Sequence, residues 1–370
     1  TEDMLDNITD AIEAKKNGEL IIVVDEENRG NEGDFICAAE LVTPDKINFM
    51  ATVGRGLICA PLEQDRVDAL GLEMMVNRNT AMHETAFTVS IDLIGHGCST
   101  GISAYDRATG IQALTDPKIT KDDYAKPGHI FPLKAKEGGV LRRTGHTEAA
   151  IDLAKLAGLY PAGVLVEILN PDGTMARLPQ LLEIAKEHDL RIISIDDLVA
   201  YRLQTEQLIK KEFEGPVNSP FGELKVHVYK QITSDDIHIA LQWGDWTEEE
   251  EVPVRVFSEN NAHELAAFIF SGWNQQLGKV MDYFKDNGKG LALFMRQSES
   301  SPDLIDSVIN LSKGIKVDIR DEQRDLGIGA QIIRDMGITK LNLITSSTMR
   351  RVGIMGYGLE ITRTTAVGEI

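Results

Sequence analysis

Cysteine is scarce: the 370 residues hold three, Cys37, Cys59 and Cys98, and none forms a Cys-x-x-Cys pair. A small secreted fold stapled by disulfides needs a dense, even set, so that class is excluded. Long apolar runs are absent, and none approaches the roughly 18 residues that cross a bilayer. Positive charge is also short, 38 Lys and Arg against 58 Asp and Glu, for a formal charge of −20. A surface this negative repels phosphate backbones and anionic lipid, so neither nucleic acid nor membrane is an expected partner. No Gly-x-x-x-x-Gly-Lys-Ser/Thr loop occurs and no Gly-x-Gly-x-x-Gly follows a strand, which removes the common nucleotide-binding loops. Residues 1–20 are acidic and polar without a signal-peptide pattern, and the expected compartment is the cytoplasm.

What is present reads as an α/β chain of ordinary globular composition, 42% hydrophobic and 26% charged. At about 150 residues per domain the length suggests two or three domains. Met4, Leu5, Ile8 and Ile12 recur on one face of a first helix, and Leu20–Val24 follows as a wholly apolar, buried-looking strand. Strand-like runs at 35–39, 56–60 and 86–91 alternate with helical patterns at 44–54, 103–113, 147–158, 178–188 and 195–212. Such alternation predicts an α/β (α+β) fold whose first domain holds a mixed sheet flanked by helices. The charged helix is expected to run on through Leu203 to Phe213, and Glu214–Pro220 carries the breakers of a linker. The expected division is therefore a domain over 1–205, a linker over 206–219 and a second domain over 220–370.

Chemistry concentrates in the first domain. Asp25, Glu26, Glu27, Glu32 and Asp34 crowd one loop after the first strand, with Asn28, Arg29, Gly30, Asn31 and Gly33 between them. Carboxylates this dense call for compensation by solvent, by Arg29 or by a hard divalent cation. Leu141–Ile151 places Arg142, Arg143 and His146 at a helix mouth that Thr147 is expected to cap. Backbone N–H groups and an arginine there suit a phosphate monoester. Gly97–Arg107 contains Ser103 and Asp106 at capping-box spacing, a structural reading, beside small hydroxyls suited to a sugar phosphate. Lys126–Pro132 reads as a rigid turn presenting His129, a residue more often structural than catalytic when alone. Glu167, inside the apolar run Val164–Leu169, is a candidate acid or base with a perturbed pKa. Cys59 and Cys98 read as small hydrophobes.

Together these stretches resemble 3,4-dihydroxy-2-butanone 4-phosphate synthases over roughly residues 5–205. The matching blocks are Asn31-Glu32-Gly33-Asp34, Ser99–Ser103 with Asp106-Arg107, Pro127-Gly128-His129, Gly145-His146-Thr147-Glu148-Ala149, Asp172–Arg177 and Asp197–Arg202. The resemblance implies conversion of D-ribulose 5-phosphate to 3,4-dihydroxy-2-butanone 4-phosphate and formate with Mg²⁺ (or Mn²⁺), in a homodimer formed through this domain. It implies that Arg29, Asp34, Glu167 and the run Arg143, Thr144, Gly145, His146, Thr147 contact the substrate. It further implies that His146 ligates the metal and that His129, Glu167 and Asp34 are needed for the reaction. One position departs: Gly30 stands where the family has a metal-ligating Glu, with Glu32, Glu27 or Glu26 as the substitute donor through a shifted loop. That departure raises the alternative of a catalytically impaired or non-catalytic homologue with a structural or regulatory role.

The second half resembles GTP cyclohydrolase II at Arg324–Gln331 and Arg351–Glu360. The resemblance implies a zinc held by three cysteines near Ser258–Val280, yet no cysteine follows Cys98, and His263 alone cannot replace three thiolates. The family's Arg-Gln-Glu-Gly-Arg-Gly is also altered, to Arg296–Ser301. Arg324 keeps the place of a nucleophilic arginine, with Glu322 where an aspartate is usual. The expectation is a cyclohydrolase-like α+β domain without zinc and without cyclohydrolase activity.

Overall fold

The computed structural model describes residues 4–25, 30–81, 85–260, 273–297, 322–345 and 358–370, which divide into two compact units, Thr1–Tyr201 and Arg202–Ile370. Among the described residues no helix is long and apolar enough to cross a membrane.

The first unit is built on a seven-stranded mixed sheet. In chain order its elements are α1 (Ile8–Lys16), β1 (Ile21–Val24), β2 (Gly33–Ala38), α2 (Pro44–Phe49), β3 (Cys59–Leu62), α3 (Gln64–Ala69), β4 (Ile91–Leu93), α4 (Ala104–Ala113), β5 (Tyr124–Lys134), α5 (His146–Leu156), β6 (Gly163–Glu167), α6 (Leu178–Glu187), β7 (Ile192–Ser194) and α7 (Ile195–Thr205), the last crossing the division between units. The strands lie in the order β4-β5-β3-β6-β2-β1-β7. β1 runs antiparallel to β2 and parallel to β7, and β2 runs antiparallel to β6. Apolar residues fill both faces, which explains why β1 and β2 are buried at every position rather than at alternate ones. Ile22, Phe35, Val164 and Val166 join the main core cluster on one face. Their neighbours Val23, Asp34, Leu165 and Glu167 turn to the other face, where α5 packs against β2, β3 and β6.

The second unit carries β8 (Ile209–Ser219), β9 (Gly222–Gln231), β10 (Ile237–Trp243), β11 (Glu251–Asn260), α8 (Trp273–Asn287), β12 (Gly290–Gln297), α9 (Glu322–Asp335), β13 (Lys340–Thr345) and β14 (Glu360–Ala366). Its seven strands lie in the order β14-β13-β11-β12-β10-β9-β8. β11–β14 are joined by parallel ladders, whereas β8, β9, β10 and β12 pair antiparallel.

Two expectations are corrected here. The segment 206–219 is no linker, and no helix continues to Phe213: α7 stops at Thr205 and β8 begins at Ile209. Pairing with β9 overrides the local helical tendency of a charged run, and Glu214 accepts from both Lys211 and the cross-strand Lys225. Pro216 is tolerated because β8 is an edge strand. Lys126–His129 is likewise no free turn. It lies inside β5, bulged out between the pairs Asp92–Ala125 and Ile91–Ile130.

Candidate active site

The ladder between β2 and β6 sets Asp34 directly opposite Glu167, so both carboxyls leave the same face at one end of the sheet. α5 points its first residue, His146, at this spot. The helix starts one residue before the expected cap: Gly145 is the N-cap and contributes no side chain, while Thr147 is buried in the first turn. His146 Nε2 lies 3.0 Å from the Val23 carbonyl, which only accepts, so Nε2 carries the proton and donates. That leaves the Nδ1 lone pair on the side of Asp34, whose Oδ1 is 3.9 Å away. Glu167 is held from its other side, its Oε2 accepting the Leu57 N–H at 2.9 Å.

Charge here is deliberately one-sided. Burial raises the Asp34 pKa well above the usual carboxylate range, and the neighbouring Glu167, Asp25 and Glu32 raise it further. Asp34 is only 3% exposed, so its carboxyl resists ionisation more than an ordinary one, and a cation beside it would oppose that tendency. The same burial and the same two acids, Glu167 and Asp34, push up the Cys59 thiol, so Cys59 stays neutral and acts as an apolar neighbour.

The donor chemistry fits a hard divalent ion. The imidazole nitrogen and the carboxylate oxygen are ligand types such an ion accepts, and at 3.9 Å they are about 1 Å wider than adjacent ligands of an octahedral ion, so binding one ion would draw them together. Mg²⁺ commonly takes one or two protein groups and keeps several waters, so a small donor set suffices. Among the described residues no three His, Cys, Asp or Glu side chains converge as a ready-made cage.

The acidic turn is closed at its base by Asp25, whose N–H donates to the Glu32 carbonyl and whose Oδ1 accepts the Glu32 N–H at 2.8 Å. Glu32 meets Arg177 at 3.4 Å rather than His146 or Asp34. Arg29 lies outside the described residues, as do Glu26 and Glu27. Arg143 is not presented alone: its Nη1 donates to the buried Glu148 at 2.6 Å. Glu148 also accepts the Lys136 N–H, and Asp152 accepts the Val140 N–H, so two acids of α5 bind the preceding loop. That loop delivers Arg143, Thr144 and Gly145 to the helix mouth.

His129 stands apart from the Asp34–Glu167–His146 trio. Phe131 and Leu165 both oppose Cys59, which places His129 and Glu167 at the same end of the sheet on strands separated by β3. Its partner was not legible in the sequence: Asp92 on β4 accepts the His129 N–H at 2.8 Å and Nδ1–H at 2.7 Å. The carboxylate thereby fixes the tautomer and leaves the Nε2 lone pair on the half-exposed side of the ring. Gly128 is required next to it, since a β-carbon there would enter the Ile91 backbone. The Ser99–Ser103 segment serves this pair from behind. Asp106 accepts N–H bonds from Ser99 and Gly101 while Ser103 caps α4, and a side chain at Gly101 would strike Asp92. In the second unit the stretch 261–272 and residues 298–321 lie outside the described residues, and so do the side chains of Glu322 and Arg324.

Comparison with known proteins agrees with this layout. Residues 9–201 match the family model of 3,4-dihydroxy-2-butanone 4-phosphate synthase and residues 210–366 that of GTP cyclohydrolase II. The riboflavin biosynthesis protein RibBA of Cytophaga hutchinsonii is 50% identical over 97% of this chain and 91% of its own length. The crystal structure of RibBX, a two-domain 3,4-dihydroxy-2-butanone 4-phosphate synthase from A. baumannii, superposes with a TM-score of 0.80 at 34% identity, covering 98% of this chain and 100% of its own. A 3,4-dihydroxy-2-butanone 4-phosphate synthase solved with two magnesium ions matches at a TM-score of 0.52 and 40% identity, over 54% of this chain and 98% of its own. With an acidic strand end facing a histidine-led helix in one unit and a cyclohydrolase-type sheet in the other, the chain belongs to the 3,4-dihydroxy-2-butanone 4-phosphate synthases of riboflavin biosynthesis that carry a GTP cyclohydrolase II domain.

Proposed function

We propose that the chain converts D-ribulose 5-phosphate to 3,4-dihydroxy-2-butanone 4-phosphate and formate at the Asp34–Glu167–His146 site, and that its second unit does not hydrolyse GTP. The observation that carries the first half is the buried carboxyl Asp34, set among Glu167, Asp25 and Glu32 and facing the His146 Nδ1 lone pair. Buried like charges are expensive without a function that uses them. Its balance is simple: the five-carbon sugar phosphate divides into a four-carbon phosphate and formate, with no oxidant or reductant required.

His146 and Asp34 would hold Mg²⁺ or Mn²⁺, with Glu32 near enough in sequence to add an oxygen through water. When bound, such an ion supplies Lewis-acid polarisation of the substrate's carbonyl and hydroxyl oxygens. The remaining work falls to side chains. Asp34 and Glu167, opposed across one ladder, move protons between neighbouring carbons during dehydration and rearrangement. His129, its tautomer set by Asp92, offers Nε2 as a base on the exposed side. The phosphate is taken at the mouth of α5, where no side chain caps the helix and Arg143, Thr144, Gly145, His146 and Thr147 line the first turn. Arg29 would complete the substrate contacts, and the enzyme would act as a cytoplasmic homodimer through its first unit.

The second half of the proposal rests on composition. No cysteine follows Cys98, so the thiolates of a zinc site are missing and water would go unactivated. A catalytically impaired protein is the second reading, favoured by one feature, the glycine at position 30. Formate release from ribulose 5-phosphate, with Mg²⁺ and with EDTA, separates the two. Mg²⁺-dependent formate from the parent, lost in Asp34→Asn, supports the synthase; a folded parent that releases none leaves the impaired reading standing.

A further inference from the structure

Glu167 is gripped by a segment that has no acid or histidine of its own. After α2 the chain makes a single π turn, Met50–Gly54, in which the Arg55 N–H reaches back to the Met50 carbonyl at 3.1 Å. Such turns are rare, and they recur where an extra residue re-aims the chain at a functional site. Arg55 closes this one in the left-handed region, at φ +73°. The reversal points two successive N–H groups at the end of β6. Gly56 donates to the Glu167 carbonyl at 3.2 Å, and Leu57 donates to Glu167 Oε2 at 2.9 Å. The Gly54 carbonyl accepts the Leu169 N–H at 2.9 Å, so Glu167 is bracketed on both sides.

Core packing does not account for the last part of this segment. Leu57 is 44% exposed, so its position contributes a backbone N–H more than a buried side chain. Gly56 needs no left-handed backbone; what it supplies is room. A β-carbon there would stand 2.6 Å from the Glu167 carbonyl oxygen and 2.9 Å from the Glu167 β-carbon. Both atoms belong to the strand end itself, which cannot swing aside as the tip of a long side chain does. A larger residue at position 56 therefore shifts Glu167 and parts its carboxyl from the Leu57 N–H.

An N–H only donates, so Oε2 must accept, and a proton carried by Glu167 sits on Oε1. We propose that segment 50–57 is the positioning element of Glu167: the Leu57 N–H fixes Oε2, Gly56 leaves room for it, and proton transfer is left to Oε1. The assignment rests on the synthase reading of the site, and it makes backbone groups rather than side chains responsible for aiming this acid.

The test removes one N–H. In the full chain Leu57 is replaced by its α-hydroxy acid, which keeps the side chain and turns the amide into an ester. In formate release from ribulose 5-phosphate, kcat is expected to fall about 10-fold or more, with KM changed by less than about threefold. Gly56→Ala is expected to act in the same direction, by about 30-fold or more. Glu167→Gln sets the ceiling, because a group that acts through Glu167 cannot cost more than losing that carboxylate. A smaller loss in the ester variant overturns the assignment, as does a loss exceeding that of Glu167→Gln or one expressed in KM alone. A parent that releases no formate sinks the synthase reading instead, and the positioning is then judged by nuclear magnetic resonance of the Leu57 amide. Its proton must move upfield in both Gly56→Ala and Glu167→Ala as the charge-assisted bond is lost. An unmoved signal in either variant overturns the positioning.

Discussion

The two seven-stranded sheets of this chain treat buried polar groups in opposite ways. In the second unit several are paired with neighbouring side chains, while His227 Nδ1 and Arg255 Nε are buried without a hydrogen bond. His227 Nε2 meets Gln242 Oε1, His238 Nε2 meets Gln231 Oε1, and the Tyr229 hydroxyl donates to Asp335. Burial lowers the His238 pKa to about 4, so that ring is a neutral hydrogen-bonding member of the fold. In the first unit, Asp34 is buried beside three other acids and faces an unprotonated imidazole nitrogen. A group whose environment opposes its ordinary charge marks the place where something else belongs. The first sheet carries the cost of a site; the second, among its described residues, carries polar groups that stabilise structure.

The sharpest way to break that contrast is to remove the opposed charge. Asp34→Asn should reduce formate release by about 10³-fold or more while the thermal transition holds or rises, measured by steady-state assay and calorimetry. A variant retaining a tenth of parental activity would remove Asp34 from the chemistry. Gly128→Ala comes next: its methyl enters the Ile91 backbone, so the bulge that presents His129 must move. A loss of about 10–100-fold in kcat is expected, with KM for the sugar phosphate changing much less.

Lys15 extends the comparison to stability. It is wholly buried with no hydrogen-bond partner for Nζ, and burial, partly offset by Cys37, lowers its pKa to about 8. The unfolded chain therefore binds this proton more tightly than the folded one, and stability rises as pH increases from about 8 to 10.5. Below pH 8 the cost is on the order of 3 kcal/mol, so Lys15→Met should stabilise the first unit by about 1–3 kcal/mol at pH 7 and flatten that slope. Denaturant titration at pH 7 and pH 10 checks both. The smallest effect belongs to His238. Its lowered pKa keeps its stabilising contribution intact above the unfolded value of 6.5 and loses it as pH falls toward 4. Hydrogen exchange of β9 and β10 should quicken over that window, and His238→Gln should weaken the dependence.

Much of this was readable from residues alone. The apolar run at Ile21–Val24, the cap at Ser103 and the helix after Gly145 follow from local physics, and they place the acidic loop and His146 correctly at element ends. What escaped depends on partners distant in sequence. β8 looked like helix and linker because its stabilising ladder and ion pairs come from β9. His129 looked like a turn residue because the bulge exists only opposite β4. Asp92 gave no signal, being one acid between Ile91 and Leu93 that matters through a contact 37 positions away. Arg177 acts on Gly30 across 147 positions, a relation that no spacing rule reaches.

The central claim is that chemistry belongs to the first sheet and structure to the second. One experiment addresses it directly: the full chain, supplied with both Mg²⁺ and Zn²⁺, is given ribulose 5-phosphate in one reaction and GTP in another, with formate release and nucleotide loss followed in parallel. The account predicts formate from the sugar phosphate that requires Mg²⁺, and GTP that persists unchanged. GTP consumption with an inert sugar phosphate would contradict it.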